Sequence, residues 1–349
     1  MSSGDAMTAP VHDVPVDAIA GVLRQHYGVE CRALERLGGE CDQNYRVADQ
    51  KGRSFLCKIT HPSEDHASTR QQTQVLESLE QAAPDLPVQH VIRALSGERW
   101  CELVSPEGAR TYLRLLSYLP GVPMHQVPPS PGLNRSLGGV HASLCAALRD
   151  THLSVPDRTL LWDLGQAGQL PALLPHINDE HMRNLVARRL EDFLQNVLPV
   201  LGGLRRQLIH NDLNPHNILA DASTGRVTGI IDFGDMVEAP LVQDVAIAAS
   251  YLFSGDAPIQ ACAEYVRAFD VVYPLERDEI AVLFPVMMAR LAMTVVITEW
   301  RAAMHPANRS YILRNNAHAR AGLLLGARLT NSEVLAKLQP TARDAIAGD

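Results

Sequence analysis

Along the 349-residue chain the period of apolar positions changes about a third of the way in. "VDAIAGVLRQHYGV" (16–29) spaces its apolar residues for one helical face and stops at Gly28, so a helix is predicted after an N-terminal tail, 1–14. "CRALERLGGECDQNYRVADQKGRSFLCKIT" (31–60) alternates short apolar runs with polar turns and predicts three antiparallel strands, joined by a loop at Gly38-Gly39 and a turn at Gln50–Gly52. "STRQQTQVLESLEQAA" (68–83) reads as a helix with Ser/Thr cap candidates, and "HVIRAL", "WCELVS" and "TYLRLLSYLPG" as two or three further strands ending at Pro120-Gly121. From "NRSLGGVHASLCAALRD" onward the spacing is helical, including "DEHMRNLVARRLEDFLQNV", "IQACAEYVRAFDVV" and "IAVLFPVMMARLAMTVVITEWRAAM". The predicted organisation is a sheet lobe over 15–116, a hinge at 117–121 and a helical lobe over 122–349.

One stretch breaks the helical half. "LIHNDLNPHNILADASTGRVTGIIDFGD" (208–235) places four acids, three asparagines and two histidines between apolar flanks. "QLIH" delivers the chain into a polar loop, "ILAD" leaves it, "ASTG" turns and "VTGIID" returns as a strand. Asp212 and Asn217 then stand at the ends of one loop, with Asp232 closing the returning strand. Two carboxylates and one amide are hard oxygen donors of the kind that suit Mg²⁺ with substrate phosphates. The order His-x-Asp-x4-Asn, followed by Asp-Phe-Gly fifteen positions after Asn217, is that of a protein-kinase-like catalytic loop and metal-binding aspartate. A zinc hydrolase built on His210, Asp212 and His216 is the alternative from another class, but it lacks further histidine ligands nearby. A phosphotransfer site also needs a nucleotide clamp. Gly38-Gly39 supplies a glycine turn, without the full G-x-G-x-x-G spacing, and Lys58 is a strand lysine among apolar or small neighbours. An edge-strand gatekeeper is the bland reading of Lys58.

The charge balance, 31 basic against 39 acidic residues, gives a formal −8 with no basic run, which argues against a nucleic-acid or anionic-membrane surface. No leader pattern and no uninterrupted apolar run of membrane-spanning length is seen, and the six cysteines form no CxxC pair, so a cytoplasmic protein with reduced thiols is expected.

"NYRV…FLCKIT", "YLRLLSYLPG", "LIHNDLNPHNIL" and "GIIDFGDMVEAPLVQDVAIAASYL" resemble the aminoglycoside phosphotransferase/choline kinase group of small-molecule kinases. "ECDQNY", "RLLSYLPG", "LLWDL" and "IDFGDM" are most similar to its hydroxylysine kinase-like branch. The resemblance implies an α+β, two-lobed protein-kinase-like fold, with an antiparallel sheet lobe that binds nucleotide and a larger helical lobe that holds the acceptor. It makes Asp212 the catalytic base, Asn217 and Asp232 the Mg²⁺ ligands, and Lys58 the phosphate-binding lysine. Gly38, Gly39 and Asn44 join the nucleotide site, and Ser117 and Leu119 meet the purine through their backbones. Asp244 matches a structural aspartate that braces the catalytic loop. At one place the chain departs from the family: the helix residue that pairs with the lysine is usually Glu, and the apolar register puts Gln72 there.

The implied reaction moves the γ-phosphoryl of ATP or GTP to a hydroxyl of a small metabolite, 5-hydroxylysine or a similar amino alcohol or hydroxy amino acid. Asp235 and Glu238 are candidates for a cationic acceptor, and Arg290 for an acceptor carboxylate, with a buried structural ion pair as its alternative role. Trp162 and Trp300 could wall the pocket or belong to the core. Aminoglycoside, choline or homoserine kinases share every motif. A protein kinase is disfavoured by the lack of an A-P-E segment, and a catalytically silent nucleotide-binding module by the full set of Lys58, Asp212, Asn217 and Asp232.

Overall fold

The computed structural model describes residues 14–38, 42–104, 108, 110–151 and 159–338. The chain divides into two compact units: one runs up to Pro120 and takes in Gly229–Gly234, and the other holds Gly121–Asp150, Leu160–Thr228 and the chain from Asp235. The Asp-Phe-Gly segment, which the sequence reading counted with the helical lobe, thus belongs with the sheet. There Ile230 donates its N–H to Pro87 O at 2.8 Å and bridges in parallel to Val88.

In the first unit, helix α1 (Val16–Tyr27) ends on Gly28 in the left-handed conformation, φ +63°, as its cap position asks of a glycine. Strands β1 (Cys31–Leu37), β2 (Gln43–Asp49), β3 (Ser54–Ile59), β4 (Val91–Ile92), β5 (Cys101–Val104) and β6 (Arg110–Ser117) form one antiparallel sheet in the order β1-β2-β3-β6-β4, with β5 also on β6. Alternation sorts β3: Phe55, Cys57 and Ile59 pack with Tyr45, Val47, Leu113 and Leu115 against Ile19, Leu23 and Tyr27 of α1. Leu56 and Lys58 point to the other face. Because β3 is flanked on both sides, Lys58 is no edge gatekeeper; its cross-strand partners are Asn44 and Arg114. Helix α2 (His66–Ala82) starts earlier than its apolar pattern suggested, since the Asp65 side chain caps it through Ala67 N at 3.1 Å.

In the second unit, β7 (Val122–Pro123) leads to helix α3 (Pro131–Arg149), capped by Ser130 and starting with Pro at its first turn. After the 3₁₀ segment Leu164–His176 and helix α4 (Glu180–Asp192) come β8 (Arg206–Ile209), β9 (Ile218–Ala220), β10 (Val227–Ile230) and β11 (Val237–Pro240). The turn at "ASTG" joins two paired strands, as its pattern suggested, and the partner of the "QLI" strand lies elsewhere. "ILA" and "VTGI" pair with one another and β7 joins them, whereas the "QLI" strand pairs antiparallel with β11, Ile209 opposite Val237. Helices α5 (Leu241–Leu252), α6 (Pro258–Val272), α7 (Arg277–Met304), α8 (Asn316–Gly326) and α9 (Asn331–Leu338) complete the unit. The 28-residue α7 is long and apolar enough to cross a membrane, but 83% of its most apolar window is buried inside the protein and Arg290 interrupts it; it is the core helix of this unit.

Candidate active site

The polar loop after β8 owes its shape to Asp244, the first-turn acid of α5, which is fully buried. Its Oδ1 accepts the N–H of Asn211 at 2.7 Å, and its Oδ2 accepts the N–H of His210 at 3.1 Å. His141 Nε2 reaches the same Oδ2 at 3.1 Å, while its Nδ1 faces the Tyr265 hydroxyl at 2.6 Å, so the imidazole donates to the carboxylate and accepts from the phenol. Burial pushes the Asp244 carboxyl upward, and these donors outweigh it, holding it below the ordinary carboxylate range. Asp244 thereby fixes Asn211 at φ +66°, a left-handed conformation that Asn tolerates better than most residues. Gln243 Nε2 adds a tie to Asn211 Oδ1 at 3.0 Å and another to Asp163 Oδ1 at 3.0 Å, which gives the "LLWDL" motif a bracing role.

This bracing presents Asp212. Its Oδ2 accepts from Asn214 Nδ2 at 2.9 Å and from Asn217 Nδ2 at 2.8 Å, and its Oδ1 lies 3.2 Å from Arg290 Nη2. Its side chain is 22% exposed, so a carboxylate held from three sides keeps an open approach. Asn217 Nδ2 also bonds Asp212 O at 2.9 Å, which leaves the amide Oδ1 as the oxygen to offer a metal. Arg290 is buried on α7, donates to Trp162 O at 3.0 Å and stacks its guanidinium 5.0 Å from the Trp162 ring centroid. Both terminal nitrogens of this arginine are therefore committed within the loop network. Tyr251 stands close enough to feel both charges: burial pushes its phenol up, with Arg290 pulling down and Asp212 adding to the rise.

In the first unit, Lys58 Nζ lies 3.2 Å from Asp232 Oδ1 and 3.2 Å from Asp42 Oδ2. Burial alone would lower its ammonium, but Asp232 and Asp42 outweigh this and raise it, so Lys58 is a fixed cation. Asp232 sits at φ +65° with 51% of its side chain exposed, a carboxylate turned outward at the strand end. Gln72, which the apolar register placed as the partner of the lysine, turns to Arg114 instead: its Oε1 accepts from Arg114 Nη2 at 3.1 Å. Glu77 pairs with Arg93 and with Arg99 Nε, the latter at 2.6 Å.

Gly38 is exposed just after β1, and Gly39 lies outside the described residues. Asn44 is on β2 opposite Leu37 and Lys58. Ser117 ends β6, where its N–H donates to His90 O at 2.9 Å and its carbonyl accepts from Gln89 Nε2 at 3.4 Å; Leu119 follows. Asp235 closes the 3₁₀ turn begun at Phe233, and Glu238 is exposed on β11 across from Leu208, outside the Asp212 network. The zinc reading fails on geometry. His210 Nδ1 accepts Asp212 N–H at 3.3 Å, while His216 lies 4.1 Å from His125, ring centroid to ring centroid. Among the described residues the grouping tight enough for a metal is His141, Cys145 and Asp244, whose ligand atoms already bond one another or the loop. Sequence reasoning missed Asp42, Asn214, His141 and Gln243; only "ECDQNY" and the polarity of the loop pointed toward the first two.

Comparison with known proteins agrees with this chemistry. Residues 33–281 match the APH phosphotransferase enzyme family, more than half of the chain. Hydroxylysine kinase of Mus musculus is 29% identical, with 90% of each chain covered. A microcompartment-associated aminopropanol kinase superposes with a TM-score of 0.65 at 19% identity, covering 92% of this chain and 99% of its own. An amicoumacin kinase, solved with AMP-PNP and Ca²⁺, gives the same TM-score at 16% identity, covering 87% and 93%. The chain therefore belongs to the phosphotransferase enzyme family and is a small-molecule kinase.

Proposed function

We propose that this kinase phosphorylates the hydroxyl of a small amino alcohol or hydroxy amino acid, 5-hydroxylysine foremost, with Asp212 as the base. The carrying observation is the Asp212 carboxylate, oriented by Asn214, Asn217 and Arg290 and still open to approach. Such a carboxylate can accept the acceptor's hydroxyl proton as the γ-phosphoryl is transferred. The reaction asks little covalent chemistry of the protein, so positioning, worth up to about 7–11 kcal/mol of barrier, is the main contribution of the loop. Arg290, first considered for an acceptor carboxylate, we read as a positioning residue of Asp212, because its terminal nitrogens are already engaged. Asp235 and Glu238 are the acids we assign to a cationic acceptor, Asp235 ahead of the more exposed Glu238.

Lys58 contacts the nucleotide phosphates, assisted by Gly38, Gly39 and Asn44, and Ser117 O with Leu119 N faces the purine. The oxygens of Asn217 and Asp232 fit Mg²⁺, a hard cation, which supplies charge neutralisation at the phosphates when bound. GTP is the alternative donor. The five described cysteines are all free, which supports a cytoplasmic location. A coupled nucleotide-consumption assay over 5-hydroxylysine, aminopropanol, choline and aminoglycosides, with ATP and with GTP, tests the acceptor. Asp212→Asn is expected to cut turnover by about 10² or more while nucleotide still binds; undiminished turnover sinks the assignment of the base.

A further inference from the structure

A phosphate-binding lysine needs a carboxylate that stays with it when the neighbouring metal ligand is engaged. That requirement rests on the roles proposed above for Lys58 and Asp232. Gln72 cannot meet it, being neutral, turned to Arg114 through Oε1 and donating through Nε2 to Glu64 Oε1 at 3.3 Å. The reason lies in the sheet. Arg114 is the cross-strand partner of Lys58 on β6 and is buried, with further bonds to Thr69 O and Thr73 Oγ1 at 3.4 Å each. A buried guanidinium claims the polar residue that α2 presents, and Lys58 must find its anchor elsewhere.

We infer that Asp42, immediately before β2, is the positioning residue that anchors Lys58, in place of the helix acid usual in the family. Its Oδ1 accepts the His61 N–H at 2.9 Å, two residues past the end of β3, so the carboxylate is fixed before any ligand arrives. Its Oδ2 is then directed at Lys58 Nζ, 3.2 Å away, in a pair whose side chains are 12% and 15% exposed. The Asp232 contact is equally short and is also a hydrogen bond, but its carboxylate is 51% exposed and is the one assigned to the metal. Asp42 thus holds the lysine with Asp232 left to its metal role.

Four variants test this. Affinity for a non-hydrolysable ATP analogue with Mg²⁺ is measured by calorimetry without acceptor, alongside kcat and KM for ATP and the melting temperature. Asp42→Asn is expected to weaken analogue binding and raise KM for ATP roughly tenfold, the loss of one charge-assisted contact. Its acceptor KM should move less than about twofold, a split that general loosening of the fold would not give. Asp42→Glu should recover part of the loss. The double variant Asp42→Asn/Gln72→Glu should not, because Arg114 captures the new carboxylate. Lys58→Met should weaken binding at least as much as Asp42→Asn. If Lys58→Met impairs binding and Asp42→Asn does not, or if Gln72→Glu restores the double variant, the Asp42 anchor is overturned. If Lys58→Met itself binds normally, the phosphate role of Lys58 falls first and the anchor with it.

Discussion

His216 shows how one residue of the catalytic loop is held in a single charge state. Burial, then His125 and then Arg314 push its imidazole down to about 4, with a bond to Asn315 opposing them. An unfolded histidine titrates near ~6.5, so between that value and about 4 the unfolded chain binds a proton that the native chain refuses. Stability contributed by neutral His216 is present above the unfolded value and is lost as pH falls through this window. Melting curves should show wild type losing roughly 1 kcal/mol or more relative to His216→Gln between pH 7 and pH 4.5. Parallel curves for the two proteins would show that the imidazole is not confined as described. At the same scale, Asp212 and Lys58 illustrate opposite uses of burial. Under the proposed roles, Asp212 at 22% exposure keeps an approach for substrate, and Lys58 at 15% is held between two carboxylates.

Among the elements, two glycines mark where backbones come too close for a side chain. Gly121 enters β7 at φ +110°, and a Cβ there would lie 2.9 Å from Ala220 O and nearer still to Thr228 Oγ1. Gly138 lets α3 lie on α6, where a Cβ would meet the Tyr265 carbonyl and come within 2.9 Å of Ala268 Cβ. Gly121→Ala is expected to destabilise by about 1–3 kcal/mol from backbone strain, more if Ala220 cannot shift. Urea midpoints read this directly, and an unchanged midpoint would mean that β7 tolerates repositioning. The element pairings also show the limits of local pattern. The β9–β10 turn follows from "DASTGR", but β8 pairs with β11, whose "VEAP" lacks an alternation that stands out between Asp-Phe-Gly and α5.

For the whole molecule, the cysteines and α7 carry the clearest consequences. Burial pushes the Cys57, Cys145 and Cys262 thiols up, and each is 1% exposed or less. Brief alkylation of native enzyme, mapped by mass spectrometry, should leave these three unmodified until denaturant is added. Early labelling of Cys145 in particular would mean that the α3 contact with Asp244 opens in solution. The α7 helix reads as a membrane span by length and composition alone, yet in this fold it is the element that others pack around, and its single mid-helix cation is paired with Asp212. A charge in an apolar helix was legible in sequence; the partner that makes it tolerable was not.

The sequence by itself determined the reaction type, because phosphotransfer chemistry fixes residue types at short spacings: Asp212, Asn217 and Asp232 lie within one segment, and Lys58 stands out from an alternating strand. It also determined most helices and strands, since period is a local property. Tertiary structure alone decided which acids meet Lys58, that Arg290 is committed to Asp212, and that Asp163 and Gln243 brace Asn211. These are choices among several chemically equivalent partners, and a hydrogen bond goes to the donor or acceptor that folding brings within about 3 Å. Distances of that kind arise from strand register and helix packing, which no spacing along the chain encodes.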